Sequence, residues 1–220
     1  MARVRNICII DYGMGNLTSV ASALAVLGYQ AQVSADPRSV ATADGLILPG
    51  VGAFAEAMRR LTEVGLIDVM ERCVLGEKVP ILGICLGMQL MARSSSEHGF
   101  HRGLGWIDAE VDRIPEDTKV RIPHVGWSEV EWTPNAMLGR NIAPEAHFYF
   151  NHSFCMTCND DIVTSSAGED SVVVAAIAKD NLQGTQFHPE KSQSNGLRLL
   201  RNFLNYVESA AENRSKVMAD

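Results

Sequence analysis

The sequence is short of the features that would assign it to a membrane, a nucleic acid or an oxidising compartment. No uninterrupted apolar run approaches the ~20 residues that a membrane helix needs. The N-terminal stretch Met1–Asn6 leads straight into Ile7–Ile10, which is too brief for a signal-peptide core and is followed by no small-residue cleavage site. Basic charge is sparse and scattered: 19 Lys and Arg stand against 26 Asp and Glu, for a net charge of −7 and a pI near 5.4. That balance leaves no electrostatic footprint for nucleic acid and disfavours an anionic membrane surface. The five cysteines (Cys8, Cys73, Cys85, Cys155 and Cys158) are odd in number and lack a framework spacing, so they read as reduced thiols. There is no repeat, no low-complexity tract and no linker. What is present, 220 residues of which 46% are hydrophobic and 20% charged, suits one compact domain with a sizeable core. The expectation is a cytoplasmic protein with a single domain over residues 1–208 and a polar, fraying tail over 209–220.

The first half alternates between strand and helix patterns. Ile7–Ile10, Ala31–Val33, Leu46–Leu48 and Pro80–Ile84 read as short strands. Leu17, Val20, Leu24 and Leu27 recur at helical spacing up to Gly28, Asp36-Pro37 marks a turn or helix start, and helical patterns cover 54–61 and 66–75. Such alternation predicts βαβ units, and so an α/β fold with a mostly parallel central sheet and helices on both faces. From Trp106 to Phe154 the pattern changes to alternating segments around Val111, Val120, Val130–Trp132 and Phe148–Phe150, which predict antiparallel strands added to one side of that sheet. Val172–Ala178 and Gln183–Phe187 read as a hairpin about Asp180-Asn181. A helix over 195–207 closes the fold, with Leu197, Leu200, Phe203, Leu204 and Val207 on its apolar stripe.

Gly83-Ile84-Cys85-Leu86-Gly87 follows an apolar strand and precedes helix-compatible sequence. It is the cysteine version of a nucleophile elbow. A sharp strand-to-helix turn strains the nucleophile's backbone, and glycines two residues to either side make room for the turn. The side chain then projects over the sheet's C-terminal edge at a helix N-terminus, where free N–H groups favour a thiolate. The N–H of Leu86 faces the same space and can stabilise an oxyanion. Taken alone, the pattern equally fits a buried structural cysteine between packing glycines.

The second half supplies a partner. In Gly184-Thr185-Gln186-Phe187-His188-Pro189-Glu190, His188 and Glu190 are two apart and share a face if the chain is extended. A cysteine nucleophile needs an imidazole to move its proton, and that imidazole needs a carboxylate to fix its tautomer. An ordinary surface histidine beside a glutamate is the bland alternative; the elbow upstream favours a triad.

Five motifs in order give the resemblance. G-I-C-L-G-M-Q-L at 83–90 and G-T-Q-F-H-P-E-K at 184–191 resemble the class I, triad-type glutamine amidotransferases. D-Y-G-M-G-N-L at 11–17, L-P-G-V-G-A-F at 48–54 and P-H-V-G-W at 123–127 narrow the likeness to the glutaminase subunits of imidazole glycerol phosphate synthases, and it runs from Ile7 to Val207. The resemblance implies Cys85 as nucleophile, His188 as general base and acid, and Glu190 as its partner. It implies an oxyanion hole from the N–H groups of Val51 and Leu86, with the peptide at Val51 reorienting before the hole is complete. It further implies glutamine contacts at Gly50, Gly52, Gln89, Ser153 and Phe154. Trp127 and Lys191 would face a (β/α)8-barrel cyclase partner that receives the ammonia; no cofactor and no metal are implied. The chain departs from the family pattern at Asn151 and Phe154, where a small apolar residue and a tyrosine are usual, and at Ser128, where asparagine is expected. Paralogues that feed ammonia to surface-sugar amidation are the alternative. So are a cysteine peptidase or γ-glutamyl hydrolase, and a non-catalytic subunit that kept the fold.

Two motifs are set aside. Asp11–Asn16 lacks the third glycine of a dinucleotide loop. Cys155-x-x-Cys158, near His147 and His152, lacks a second ligand pair for zinc. His98 and His101 read as solvated.

Overall fold

The computed structural model describes residues 6–116, 120–167 and 173–217. The parallel βα register predicted for the first half is present: β1 (Ile7–Ile10), α1 (Leu17–Val26), β2 (Ala31–Ser34), α2 (Pro37–Ala41), β3 (Gly45–Gly50), α3 (Phe54–Val64), α4 (Ile67–Glu71) continuing as one π-turn (Arg72–Gly76), β4 (Ile81–Cys85) and α5 (Leu86–Gln89). Local chemistry sets several of the boundaries. Asp36 caps α2 by accepting the Arg38 N–H, with Pro37 at the first helical position. Gly28 follows α1 at φ +87, a left-handed stop that costs glycine nothing. The N-cap of α3 is Ala53, which cannot cap; the carboxylate of Glu97 accepts the Phe54 N–H instead, at 2.7 Å.

The second half contributes β5 (Ser94–Ser95), β6 (His101–Arg102), β7 (Ala109–Arg113), β8 (His124–Trp132), β9 (His147–His152), β10 (Phe154–Cys158), β11 (Val163–Ala167), β12 (Val173–Lys179), β13 (Leu182–Thr185) and α6 (Gln193–Val217). A nine-stranded sheet runs β2-β1-β3-β4-β13-β12-β11-β8-β9, and its first five strands are mutually parallel while the rest are antiparallel. Both faces of the parallel part are covered. Cys8, Ile10, Leu46 and Leu48 pack towards α3 and α4 on one side; Ile7, Ile9, Ile47, Leu82 and Ile84 pack towards α1 and α6 on the other. Burial on both faces explains why these strands read as continuous apolar runs rather than alternating ones.

Four expectations need correction. The added strands do not form one block: β8 and β9 extend the main sheet, whereas β7 and β10 belong to a separate four-stranded sheet, β10-β7-β5-β6. Val120 lies in no strand and packs instead against the small cluster of Ile114, Cys155 and Val173. The helix after Cys85 is a single turn, so its first N–H groups, not a long dipole, face the sulfur. The chain beyond 208 does not fray: α6 runs unbroken to Val217 because Ala211 is buried and Arg214 donates to the carbonyls of Asp44 (2.9 Å) and Lys78 (3.2 Å). Val172 of the expected hairpin and Met218–Asp220 of the expected tail lie outside the described residues. Among the described residues no helix is long and apolar enough to cross a membrane.

Candidate active site

Cys85 ends β4 and opens α5 with φ +54 and ψ −111, a conformation that L-residues avoid. The two flanking glycines are steric necessities. A Cβ on Gly87 would sit 1.7 Å from the carbonyl oxygen of Leu48, and one on Gly83 would sit 2.7 Å from the backbone of Met88. The elbow therefore packs backbone to backbone against β3, and the sulfur projects into a cleft at the C-terminal edge of the parallel strands.

That cleft, about 450 Å³, is lined by Cys85, His188, Gln89, Val51 and Gly52, by Ser153 and Phe154 on the far wall, and by Glu97 and Arg113 among others. His188 follows β13 and is anchored twice through its backbone: its N–H donates to the Tyr149 carbonyl at 2.9 Å and its carbonyl accepts the Ser192 hydroxyl at 2.6 Å. The ring donates from Nδ1 to Oε1 of Glu190 at 2.9 Å, and His188 and Cys85 line the same cleft. Burial opposes a charge on His188, but the hydrogen bonds and charges of Cys85 and Glu190 outweigh it and raise its pKa from the usual 6.5 to about 9. Two distant motifs thus bring Cys85 and His188 to one cleft, with Glu190 behind the imidazole.

The other expected residues divide. Val51, Gly52, Leu86, Gln89, Ser153 and Phe154 line the cleft. Gly50 stands behind it, pairing in register with Cys85, and a Cβ there would meet the Tyr12 hydroxyl at 2.6 Å. Gln89 reaches inward: its amide Nε2 donates to the Phe154 carbonyl (2.9 Å) and to Oε1 of Gln186 (3.0 Å). Trp127 and Lys191 lie away from the sulfur on the outer face, both against Tyr149. Trp127 meets that ring edge-on at 6.1 Å, and the Lys191 ammonium sits 5.6 Å above its centre. Of the departures from the family pattern, Asn151 and Phe154 face the cleft and Ser128 does not.

Three site residues escaped sequence reading. Gln186, fully buried, donates from Nε2 to the Cys85 sulfur at 3.6 Å; it lies inside the G-T-Q-F-H-P-E-K motif, where nothing distinguishes it from Gln183 as a polar residue. Glu97 sits in a serine-rich stretch that reads as a solvated loop, and Arg113 at the end of β7 carried no local signal. His98, expected in solvent, is exposed at the cleft rim. Cys155 and Cys158 sit three apart on β10 and join different apolar clusters, so their sulfurs point to opposite faces of the strand. Burial pushes the Cys155 thiol up to about 11. Among the described residues no group of three or more His, Cys, Asp or Glu is gathered around a point that could hold a metal ion.

With this geometry in view, the comparisons with known proteins are specific. The family described as glutamine amidotransferase class-I matches residues 8–207. The chain belongs to that family. Among curated relatives, imidazole glycerol phosphate synthase subunit HisH 1 of Campylobacter jejuni (strain RM1221) is 46% identical over 90% of this chain and 98% of its own length. Subunit HisH 2 of Methanococcus maripaludis is 43% identical over 90% and 98%, and HisH of Listeria monocytogenes serovar 1/2a is 42% identical over 90% and 94%. Among solved structures, PurLQS from Thermotoga maritima superposes with a TM-score of 0.71 over 93% of this chain and 100% of the matched one, at 16% identity, a likeness of fold. In this amidotransferase family member the elbow, the imidazole and the carboxylate occupy the edge of the parallel sheet, where open α/β folds place their ligands.

Proposed function

We propose that this chain is the glutaminase subunit of an imidazole glycerol phosphate synthase, hydrolysing glutamine to glutamate and ammonia and delivering the ammonia to a cyclase subunit. The observation that carries this reading is Cys85 and His188 on the wall of one cleft, with Glu190 held 2.9 Å from Nδ1 of that imidazole. The named relatives, HisH subunits at 42–46% identity, support the histidine-pathway assignment over surface-sugar amidation.

The geometry suits a thioester mechanism. The Cys85 thiolate attacks the carboxamide carbon of glutamine, and the oxygen's developing charge is taken by the N–H groups of Leu86 and Val51. The His188 imidazolium gives its proton to the departing nitrogen, so ammonia leaves and a γ-glutamyl thioester remains. His188, now neutral, takes a proton from water; the hydroxide attacks the thioester, and collapse expels the thiolate and releases glutamate. Glu190 holds the ring with Nδ1 protonated throughout, so the other nitrogen does the transfer. Glutamine's amino-acid end carries both charges, and Glu97 and Arg113 offer one of each sign on the cleft wall. A peptide substrate has no such end at its scissile bond, which argues against the peptidase reading.

The partner face is the outer surface of β8 and β9, where Val125 and Trp127 are exposed beside Tyr149 and Lys191. We assign the cyclase, a (β/α)8 barrel, to that surface. The test is a glutamine-dependent cyclase assay of the two subunits together, run in parallel with ammonium salt in place of glutamine. Cys85→Ala should lose the glutamine-driven reaction and keep the ammonium-driven one; undiminished glutamine turnover in that variant would sink the assignment.

A further inference from the structure

A continuous run of hydrogen bonds joins the outer strand to the nucleophile, and the cleft chemistry described above does not use its outer half. The Ser128 hydroxyl lies 2.7 Å from Nε2 of His124; Nδ1 of His124 lies 3.1 Å from Nε2 of His152; Nδ1 of His152 lies 2.8 Å from the Phe154 carbonyl. That carbonyl also accepts from Gln89, whose second amide hydrogen goes to Gln186, whose own amide donates to the Cys85 sulfur.

The polarity of the run is fixed at its middle. A carbonyl oxygen only accepts, so His152 must carry its proton on Nδ1 and Gln89 must present its NH₂. The neutral His152 ring then accepts at Nε2, so His124 donates from Nδ1, accepts at Nε2, and the Ser128 hydroxyl donates to it. On the other arm, Gln186 must turn its oxygen to Gln89, which leaves its NH₂ for the sulfur. No member can reverse without breaking a neighbour's bond.

His124 and Ser128 lie four apart on β8, with Gly126 between them at φ +134, where a side chain would be strained. Both rings are buried, and the His124 ring stacks on Phe150 at 4.5 Å. Burial, chiefly, holds the His152 ring down to about 4 against the opposing hydrogen bond to the Phe154 carbonyl, so it stays neutral while the enzyme works; burial lowers His124 as well.

We propose that Ser128, His124 and His152 are positioning residues: a one-way hydrogen-bonded strut that runs from the strand bearing Trp127 to the Phe154 carbonyl and, through Gln89 and Gln186, sets the orientation of the Cys85 sulfur. The proposal rests on Cys85 being the glutaminase nucleophile. Ser128 follows directly on Trp127, so a partner seated on the outer face of β8 is linked to the sulfur by a run whose first two members, Ser128 and His124, stand outside the cleft.

The experiment is steady-state glutamine hydrolysis by the two-subunit complex carrying Ser128→Ala or Ser128→Thr. Ser128 is half-buried on a strand, so both variants fold, and equal melting temperatures verify it. Ser128→Ala leaves Nε2 of His124 without its donor and should lower kcat about tenfold with KM for glutamine changed less than about twofold, because neither Ser128 nor His124 lines the cleft. Ser128→Thr keeps the hydroxyl and should restore kcat. In a Gln186→Met background, where the arm to the sulfur is already cut, Ser128→Ala should cost nothing further. A kcat for Ser128→Ala within about twofold of the parent, or a full additive loss in the Gln186→Met background, overturns the strut while leaving the glutaminase reading intact. Undiminished glutamine turnover in Cys85→Ala overturns both.

Discussion

The imidazole of His188 donates from Nδ1 to Oε1 of Glu190 across 2.9 Å, with side-chain exposures of only 3% and 1%. Two residues apart in sequence, they meet because Pro189 and Glu190 begin a 3₁₀ turn immediately after the strand-like His188. In a site this dry the carboxylate does two things. It fixes which ring nitrogen faces the sulfur, and it stabilises the imidazolium against the cost of burial.

Glu190→Gln separates those two roles. The amide oxygen can still accept from Nδ1, but the charge is gone. Because the folded pKa of His188 is raised above 6.5 to about 9, its contribution to stability is complete below pH 6.5 and fades as pH rises through about 9. The same proton serves the leaving nitrogen, so kcat/KM of the parent should fall along a limb near pH 9. The Glu190→Gln variant should lose at least roughly 100-fold in kcat, and its alkaline limb should move to lower pH. A pH–rate profile of both proteins checks this; an unmoved limb means that Glu190 does not set the imidazole's charge.

The elbow makes a prediction whose sign is unusual. At an ordinary position, alanine is more stable than glycine by roughly 0.5–1 kcal/mol. Cys85 sits at φ +54, where a Cβ is the source of strain. Cys85→Gly should therefore be more stable than Cys85→Ala, by about 1 kcal/mol, although both lack the sulfur and neither turns over glutamine. Urea denaturation of the two variants decides it, and the ordinary order, alanine above glycine, would show that the turn is not strained.

How much of this was legible in the sequence depended on distance along the chain. The elbow and the His188–Glu190 pair are short local patterns: Cys85 sits at the turn from β4 to α5, whereas His188 and Glu190 meet through a 3₁₀ turn and not in the extended chain expected. Strands β1, β3 and β4 were legible because burial on two faces leaves nearly unbroken apolar runs. The cleft's far wall was not. Glu97 and Arg113 arrive through the small second sheet, whose strands β5 and β6 are two residues each, too short for any periodicity to register. Gln186 was inside a recognised motif, but nothing local says that its amide turns towards a sulfur 101 residues upstream. The one-turn length of α5 was hidden because Met88, Leu90 and Met91 continue a helix-compatible pattern while tertiary packing turns the chain away. The end of α6 was hidden for the opposite reason. Its last turns are polar and look frayed, and only the folded structure shows what Arg214 grips.

That grip is testable. Arg214 closes α6 over the loops that precede β3 and β4, donating to the carbonyls of Asp44 and Lys78. Partly exposed hydrogen bonds of this kind contribute about 1 kcal/mol in all, so Arg214→Ala should lower unfolding stability by that amount and leave glutamine turnover unchanged. Truncation after Glu208 should cost more, since it also uncovers the surface that Ala211 covers. Thermal melts that coincide for the parent and the truncated chain would show that the last turns of α6 contribute nothing.

The outer face of β8 argues from exposure. Trp127 is 46% exposed and Val125 54%, two apart on one face of a strand whose alternate residues are buried or half-buried. A large aromatic that stays half in water contributes little to its own fold, so Trp127→Ala should change stability by no more than about 0.5 kcal/mol. If a second subunit seats on this face, the same residue lies in a fully desolvated contact of the complex, where truncating a tryptophan costs about 2 kcal/mol or more of binding, roughly a thirtyfold weaker Kd. Titrating the cyclase subunit into parent and variant by calorimetry measures that difference. Equal affinities would move the partner to another face, and the strut from Ser128 to Cys85 would then begin at a surface that nothing covers.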